Sequence, residues 1–352
     1  MAVSKCPFSI AKTRPFQSFL LIAVGFAVFS ASHAFAGATL DKVKRDGVLK
    51  CGVNTNTDDW SKDEPHGNLT AFEADICKAV AAAAAGSADK VKLVPFNDDD
   101  ESAAGLRSRK IDLLALATPS ITGSFAGFGF GPIVFYDAEG FLVPKRSGIA
   151  TVSDLAGKKI CFMGSTGPEE NLKVYLRDKH VAYQPYPFEE QGEMEAAFYT
   201  TQCEVYAADI TQLAVTRAKF RALAKNFVIL PERVAEDPIA PAFRLDDPQW
   251  AAVVTWTINA LIQAEEIGIS RANLAARRAS TDLAVQRLLG TQGHIGHALG
   301  LSDEWAARAI GAVGNYGEIF DRDLGAGSRL KLERGLNALW TKGGLLYAPP
   351  IR

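Results

Sequence analysis

The sequence lacks the motifs that mark common catalytic, nucleotide-binding and metal-binding sites. It contains no G-x-S-x-G motif, no P-loop and no EF-hand loop. No two cysteines have the C-x-x-C spacing of a zinc ribbon or a thioredoxin-like site. Basic residues do not outnumber acidic ones, with 38 Lys and Arg against 40 Asp and Glu, so the basic face expected of a nucleic-acid-binding protein is missing. The sequence therefore predicts neither a cofactor nor a nucleic-acid partner.

Candidate metal ligands are also few. His294 and His297 are three residues apart, but no third ligand type clusters beside them in the sequence, so we predict no metal site there. The acidic run at residues 97–101 has the wrong ligand spacing for calcium and is predicted to be a solvated loop.

Long apolar runs are rare, and the most pronounced one lies near the start. Residues 1–14 carry three basic side chains, residues 19–29 are apolar, and residues 34–36 read Ala-Phe-Ala, a small-x-small cleavage pattern. The apolar core is shorter than the roughly 20 residues that span a bilayer, although an uncleaved anchor is the alternative. We expect residues 1–36 to be a signal peptide and the mature chain, with a net charge near −5, to be soluble and periplasmic.

Four cysteines remain after such a cleavage. An even number in an exported chain suggests two disulfides, for which three pairings are possible. Cys51 and Cys77 lie in one region of the sequence, and Cys161 and Cys203 lie in another. We predict pairing within each region.

Strand and helix patterns alternate in the remaining chain, which predicts an α/β fold. Residues 91–96 and 159–163 are typical of strands, and the alanine-rich residues 72–85 of a helix. A short helix is expected at residues 103–109. The roughly 316 residues after the leader are more than one compact core usually holds, so two lobes are expected.

The pattern restarts after an extended connection at residues 139–144 and a polar, turn-prone step at residues 145–148. Prolines at positions 231, 238 and 241 favour extended chain that returns from the second lobe to the first. From residue 249 onward the pattern is mostly helical.

Several segments resemble the general L-amino-acid-binding periplasmic proteins of ABC transporters, and the likeness extends from about residue 39 to the end. The resemblance implies the type 2 periplasmic-binding-protein fold, in which two α/β lobes are joined by two hinge strands, here followed by a helical C-terminal extension. It places lobe 1 at residues 37–142 and 238–352, and lobe 2 at residues 143–237. The segments that carry it are GVLKCGVNT (47–55), VGNYGEIF (313–320), GLNALW (335–340) and GGLLYAPPIR (343–352).

The same resemblance implies how a zwitterionic ligand is held between the lobes. The family supplies an arginine to the ligand carboxylate from the first lobe and an acidic residue to the ammonium from the second. Asp209 matches that acidic residue at the end of a predicted strand, where open α/β sheets place ligands. The alternative is that Asp209 only caps the helix that follows.

Two further groups match the binding-site pattern. The loop containing Ser165, Thr166 and Gly167 stands between a strand and a helix, where free amides suit a carboxylate, although an ordinary turn has the same composition. Glu169 and Glu170 behind it are expected to face the positive end of the helix. The remaining candidates are three hydroxyls that either line the first lobe or simply finish a strand, and an aromatic that either covers the ligand or anchors a loop: Thr118, Ser120, Thr122 and Trp60.

The carboxylate-binding arginine is where the sequence departs from the family. Its expected position falls on Ser124 or Phe125, and no Lys, Arg or His occurs from position 111 to position 144. A bidentate guanidinium contact contributes about 1.5–3 kcal/mol. We therefore expect either a compensating group or a ligand that lacks this carboxylate, such as an amine-bearing or neutral solute.

These features predict a monomeric, non-enzymatic solute-binding protein whose partners are a small molecule and an ABC permease in the inner membrane. One alternative is a dehydratase-like enzyme on the same fold, for which Asp209 and Glu73 are the available acid–base groups. The other is a ligand sensor that does not serve transport.

Overall fold

The computed structural model describes residues 38–54, 68–219 and 222–352. The predicted signal peptide and Trp60 lie outside these ranges. Among the described helices, none combines the length and the apolarity needed to cross a membrane.

The described chain folds into ten strands that alternate with helices. The strands are β1 (Leu49–Asn54), β2 (Val91–Phe96), β3 (Leu113–Ala117), β4 (Phe128–Phe130), β5 (Phe135–Pro144), β6 (Lys159–Met163), β7 (Gln184–Phe188), β8 (Val205–Asp209), β9 (Phe227–Ile229) and β10 (Glu236–Arg244). The helices are α1 (Ala38–Asp46), α2 (Leu69–Ala85), α3 (Asp99–Arg107), α4 (Ile121–Phe125), α5 (Gly167–Asp178), α6 (Gln191–Tyr199), α7 (Ile210–Lys219), α8 (Pro248–Glu266), α9 (Leu274–Arg277), α10 (Leu283–Leu289), α11 (Trp305–Val313) and α12 (Tyr316–Asp323).

The strands pair in the order β2-β1-β3-β10-β5-β8-β6-β7, with β4 attached to β10 and β9 attached to β5. β1 pairs in parallel with β2 and β3, and β6 pairs in parallel with β7 and β8. β5 and β10 run antiparallel to their neighbours and join the two groups. This arrangement matches the predicted two-lobed α/β fold with two connecting strands.

The first lobe is built around α2, which is almost entirely buried. Asn68 accepts a hydrogen bond from the Ala71 amide at 2.7 Å and starts the helix, and Gly86 ends it in the left-handed region at φ 89°. The C-terminal helices pack on the same core, which also buries Leu346 and Ile351 of the tail. The predicted helical C-terminal extension is confirmed.

The second lobe packs α5 and α6 against its own group of strands. One apolar cluster contains Phe141, Ile160 and Leu176, and another contains Tyr206 and Phe198. The loops that follow β6 and β8 therefore open at one edge of this sheet.

Both predicted disulfides are present. Cys51 of β1 bonds to Cys77 of α2, and Cys161 of β6 bonds to Cys203, just before β8. Each bond ties a strand to a neighbouring element of the same lobe.

An expectation about local structure was wrong. The acidic run 97–101 is not a loop: Asp98 accepts a hydrogen bond from the Glu101 amide at 2.7 Å and caps α3, which begins at Asp99 and ends at Arg107. Acidic residues suit the first turn of a helix because they face the positive end of its dipole. The predicted extended connection at residues 139–144 is confirmed, and it forms the second part of the ten-residue strand β5.

Candidate functional site

A pocket of about 270 Å³ lies at the edge of the second lobe where β6 and β8 end. Its other described lining residues are mainly apolar, and its polar lining comes from Glu139, Thr166, Gln191, Tyr206, Asp209 and Gln212. No Lys, Arg or His is among the described residues that line it. The pocket therefore presents negative charge on an apolar background, which suits a ligand with a positive group.

Asp209 is the last residue of β8 and lines this pocket while half-buried. Among the described residues, its carboxylate accepts no hydrogen bond and no basic side chain lies within ion-pair distance. Burial and the nearby charge of Asp237 raise its pKa to about 6. An unpaired, partly desolvated carboxylate is costly to keep, so it is the group in the pocket most ready to accept a partner.

Among the described residues, no hydrogen bond supports the alternative that Asp209 caps the helix after it. The amide of Thr211 in the first turn of α7 is directed instead to Oδ1 of Asp137, at 3.4 Å. The Thr211 hydroxyl donates to the other oxygen of Asp137. Asp137 therefore caps α7, and the Asp209 carboxylate accepts no hydrogen bond from the described residues.

Strand pairing gathers four carboxyl groups, which we call the carboxylate strip: Asp137, Glu139, Asp209 and Asp237. Asp137 on β5 pairs in register with Asp237 on β10, and Glu139 on β5 pairs with Asp209 on β8. Residues two apart on a strand point to the same face, as do register partners in antiparallel strands. The strip runs along the segment that joins the lobes.

The other members of the strip accept hydrogen bonds, and Asp137 accepts them on both carboxylate oxygens. Asn171 donates to Oε1 of Glu139 at 2.6 Å, and Thr118 donates to Oδ2 of Asp237 at 3.4 Å. Burial, reinforced by the charge of Asp209, raises the pKa of Asp137 to about 7. Burial also raises the pKa of Glu139 and of Asp237. No described basic side chain forms an ion pair with the strip, although the charge of Asp137 acts on the Arg233 guanidinium. The strip was not predicted from the sequence because its members come from separate strands.

The predicted loop after β6 divides into one pocket residue and two supporting ones. Thr166 lines the pocket; its hydroxyl donates to the Met163 carbonyl at 2.9 Å and accepts from the Glu169 amide at 3.3 Å, which caps α5. Ser165 adopts φ +59° and its amide donates to the Glu169 carboxylate at 2.7 Å. Gly167 is the first residue of α5. Glu169 thus occupies the helix start, as the dipole argument predicts.

The first lobe contributes a separate pocket of about 490 Å³, lined by Thr118, Ser120 and Thr122. Thr118 directly follows β3, which ends at Ala117. Ser120 caps α4 by accepting a hydrogen bond from the Gly123 amide at 2.9 Å, and Thr122 lies within α4. The pocket shares no lining residue with that of the second lobe.

The expected arginine position lies on α4. Ser124 and Phe125 are both exposed, and Phe125 is 95% exposed, next to Ile121 at 89%. Among the described residues that line this pocket, Arg107 is the only basic one, and its guanidinium lies 5.6 Å from the centroid of the Phe128 ring. Positions 124 and 125 themselves carry no basic side chain.

Glu73 adds a further acid at the edge of the first lobe. It is buried and accepts a hydrogen bond from the Asn54 amide at 2.8 Å. Desolvation raises its pKa well above the ordinary value. Because this bond ties Glu73 to the end of β1, its role in the described structure is to hold that strand end.

The prediction that no third ligand type lies beside His294 and His297 is wrong. Asp303 is a third ligand type, and its carboxylate lies within reach of both rings. The sequence hides it because a turn of the chain brings position 303 back to position 294.

Comparisons with known proteins agree with this architecture. The family described as "NMT1/THI5 like" matches residues 130–236. The chain is 42% identical to the general L-amino acid-binding periplasmic protein AapJ of Rhizobium johnstonii, over 95% of this chain and 98% of that protein. It is 38% identical to the glutamate/glutamine/aspartate/asparagine-binding protein BztA of Rhodobacter capsulatus, over 94% of this chain and 97% of that one.

A solved structure extends the likeness to three dimensions. It is an ABC transporter periplasmic binding protein from Brucella ovis with glutathione bound, 38% identical, with a TM-score of 0.76 over 89% of this chain and 99% of that one. Two relatives and one structure thus match nearly the whole chain at 38–42% identity. The chain belongs to the amino-acid-binding periplasmic proteins of ABC transporters.

Proposed function

We propose that the protein captures an amine-bearing small solute between its lobes and delivers it to an ABC permease. The lobes would comprise residues 37–142 with 238–352, and residues 143–237. The observation that carries the proposal is the free Asp209 carboxylate at the centre of the carboxylate strip. The solute's positive group would lie against Asp209, with Thr166 and Gln212 beside it.

The physical reason is charge compensation. Two carboxylates opposite each other in a sheet repel, and burial strengthens that repulsion because the surroundings screen it less. An ammonium group accepted by Asp209 relieves both costs. The strip is therefore more favourable with a cation bound than without one.

The solute's other end would meet the first lobe. Thr118, Ser120 and Thr122 supply hydroxyls there, and the exposed Phe125 and Ile121 supply apolar surface. A carboxylate at that end would find no guanidinium at position 124 or 125, and the guanidinium of Arg107 in the same pocket lies over the ring of Phe128. We therefore favour solutes whose far end is neutral or apolar over ordinary α-amino acids.

The relatives support the ammonium part of this proposal. Their names refer to amino acids, and the Brucella protein holds glutathione. All these molecules carry an ammonium group, and they also carry carboxylates. The proposed solute thus keeps the ammonium group that these ligands share, and it lacks the carboxylate for which this chain has no arginine at the expected position.

The relatives are named as binding proteins rather than as enzymes, and the names of AapJ and of the Brucella protein say that they are periplasmic. We propose the same location here, reached through cleavage after residue 36, with the protein acting as a monomer. A sensor role without transport would use the same pocket. Loss of solute uptake on deletion of the gene, with no effect on signalling, would favour transport.

The decisive experiment compares matched solutes by calorimetry and thermal shift. Each set contains an amino acid, the amine left after its decarboxylation, and the acid left after its deamination. A ligand at a hundred times its dissociation constant stabilises the protein by about 2.7 kcal/mol. We expect the amine to bind at least as well as the amino acid, and the acid not to bind.

The Asp209→Asn variant should lose amine binding, and Asp178→Asn, an exposed change at the end of α5, should retain it. Binding of the acid but not the amine would overturn the proposal. Mass spectrometry of the incubated solutes covers the enzymatic alternative, since turnover would contradict a binding role.

A further inference from the structure

The segment between α10 and α11 brings together three side chains that ligate metals. One nitrogen of His294, one nitrogen of His297 and one carboxylate oxygen of Asp303 all lie within 4.8 Å of one another. Nδ1 of His294 is 2.8 Å from Oδ2 of Asp303.

The backbone fixes this arrangement. Gly290 has φ +71°, and a Cβ there would lie 2.0 Å from the Asp303 carbonyl oxygen. A Cβ on Gly296 would lie 2.3 Å from the Ser302 carbonyl oxygen. Only glycine fits at these two positions, because any side chain would collide with the backbone of residues 302 and 303. The close backbone contacts hold the part of the segment that carries His294 next to the part that carries Asp303.

The Asp303 side chain is held as well. Its Oδ1 accepts a hydrogen bond from the Gly296 amide at 3.2 Å, which leaves Oδ2 directed at His294. His294 itself adopts φ +48°, a conformation that non-glycine residues rarely take. The three ligand atoms are thus gathered by the chain and not by a chance meeting of long side chains.

We propose that His294, His297 and Asp303 form a binding site for a divalent transition-metal ion of the Zn²⁺ class. Two imidazoles and one carboxylate are ligands that Zn²⁺ accepts, at about 2.0–2.2 Å. Mg²⁺ and Ca²⁺ prefer oxygen ligands and would bind poorly. Both rings are exposed and free to turn toward a common centre, which leaves a fourth position for water.

A simple His–Asp ion pair is the competing explanation. It accounts for the contact between His294 and Asp303 but does not involve His297, whose ring centroid lies 6.4 Å from that of His294. The two explanations differ in what His297 does. Substitution of His297 is therefore the sharpest variant.

The test uses purified full-length protein made without a polyhistidine tag, titrated with Zn²⁺ by calorimetry and with Co²⁺ by visible absorption. We expect one ion per chain and cobalt bands typical of nitrogen and oxygen ligands. His294→Ala and His297→Ala should each weaken binding at least about tenfold. Asp303→Asn should do the same, while its amide oxygen keeps the bond from Gly296.

His180→Ala is the matched control, because His180 is exposed at the end of α5 and lies outside the cluster. It should bind Zn²⁺ as the parent does. Zn²⁺ binding that survives in His297→Ala would overturn the site, as would the absence of binding in the parent. Binding lost in Asp209→Asn but kept in His294→Ala would place the ion at the carboxylate strip and would also overturn it.

Discussion

Glu139 and Asp209 are register partners on the antiparallel strands β5 and β8, and both line the pocket of the second lobe. Like charges in this position destabilise a sheet. One of them, Glu139, is relieved by a hydrogen bond from Asn171 at 2.6 Å. Asp209 has no such hydrogen-bond donor in the described chain, so the pair favours binding of a positively charged ligand.

Replacing Asp209 by Asn should separate binding from stability. Binding of a cationic solute should weaken by about 2–3 kcal/mol, on the order of a hundredfold, because a charge-assisted contact is lost. The unliganded protein should be as stable as the parent or slightly more stable, because repulsion from Asp237 and Glu139 falls. Calorimetry and thermal unfolding measure the two effects. A large loss of stability in the unliganded variant would contradict a free carboxylate.

The stability of the unliganded protein should fall as pH rises from 5 to 8. The pKa of Asp137 is raised to about 7 in the folded state, against about 4 in an unfolded chain. Between these values the folded state holds more protons, so deprotonation costs stability, by about 2–4 kcal/mol across the window. Thermal unfolding at a series of pH values would detect this. Exposed carboxyl groups whose pKa is lowered titrate below pH 5, so they do not change the stability between pH 5 and 8.

Asp137→Asn is the matched variant for this pH effect, since the amide is neutral at every pH and keeps an oxygen for Thr211. Its stability should vary less with pH, and above pH 7 it should exceed that of the parent. Binding of a cation should follow the opposite trend in the parent, because it needs ionised Asp209, whose pKa is about 6. Affinity should decrease as pH falls through 6. Stability that increases with pH in this range would refute the assignment.

Ser124→Arg should restore recognition of a carboxylate. The position is exposed on α4, next to the hydroxyls of the first-lobe pocket. A new guanidinium contact of about 1.5–3 kcal/mol would strengthen binding of α-amino acids by roughly ten- to a hundredfold and leave the matching amines unchanged. Ser124→Gln, which adds length without charge, is the control. Equal gains for amines and amino acids would show that charge is not the cause.

Both disulfides should contribute strongly to stability. The bonds close loops of 26 and 42 residues, and in the chain-entropy account each is worth about 3–4 kcal/mol. Replacing Cys161 and Cys203 together by Ala should lower the free energy of unfolding by that amount, as should the Cys51 and Cys77 pair. Urea unfolding measures both. An unaffected free energy of unfolding in either double variant would argue against this entropic contribution.

Local patterns predicted much of the fold. Strands β2 and β6 begin and end at the predicted residues, and cysteine pairing followed from position along the chain. Helix α4 was missed because five residues give no helical period. The start of α3 was missed although a signal was present, since Asp98 followed three residues later by Glu101 is a capping pattern.

The candidate site was predicted one residue at a time but not as a group. Asp209 could be placed at a strand end, whereas its neighbours Glu139 and Asp237 depend on strand register, which joins positions far apart in the sequence. Asp303 was missed for the same reason on a smaller scale, because a glycine-rich turn brings it to His294. Partners fixed by tertiary pairing leave no local pattern to read.

Strand β5 belongs to both halves of the molecule: its first residues pair with β10 and its later ones with β8 and β9. Asp137 and Glu139 therefore lie on the connecting segment that both lobes share, where a hinge motion of the lobes would displace residues least. Ile121 and Phe125, by contrast, are exposed on α4 of the first lobe. The charged group of a solute would be bound near β5, and the length and apolarity of the rest would be selected by the first lobe. These two contributions to specificity could therefore evolve independently.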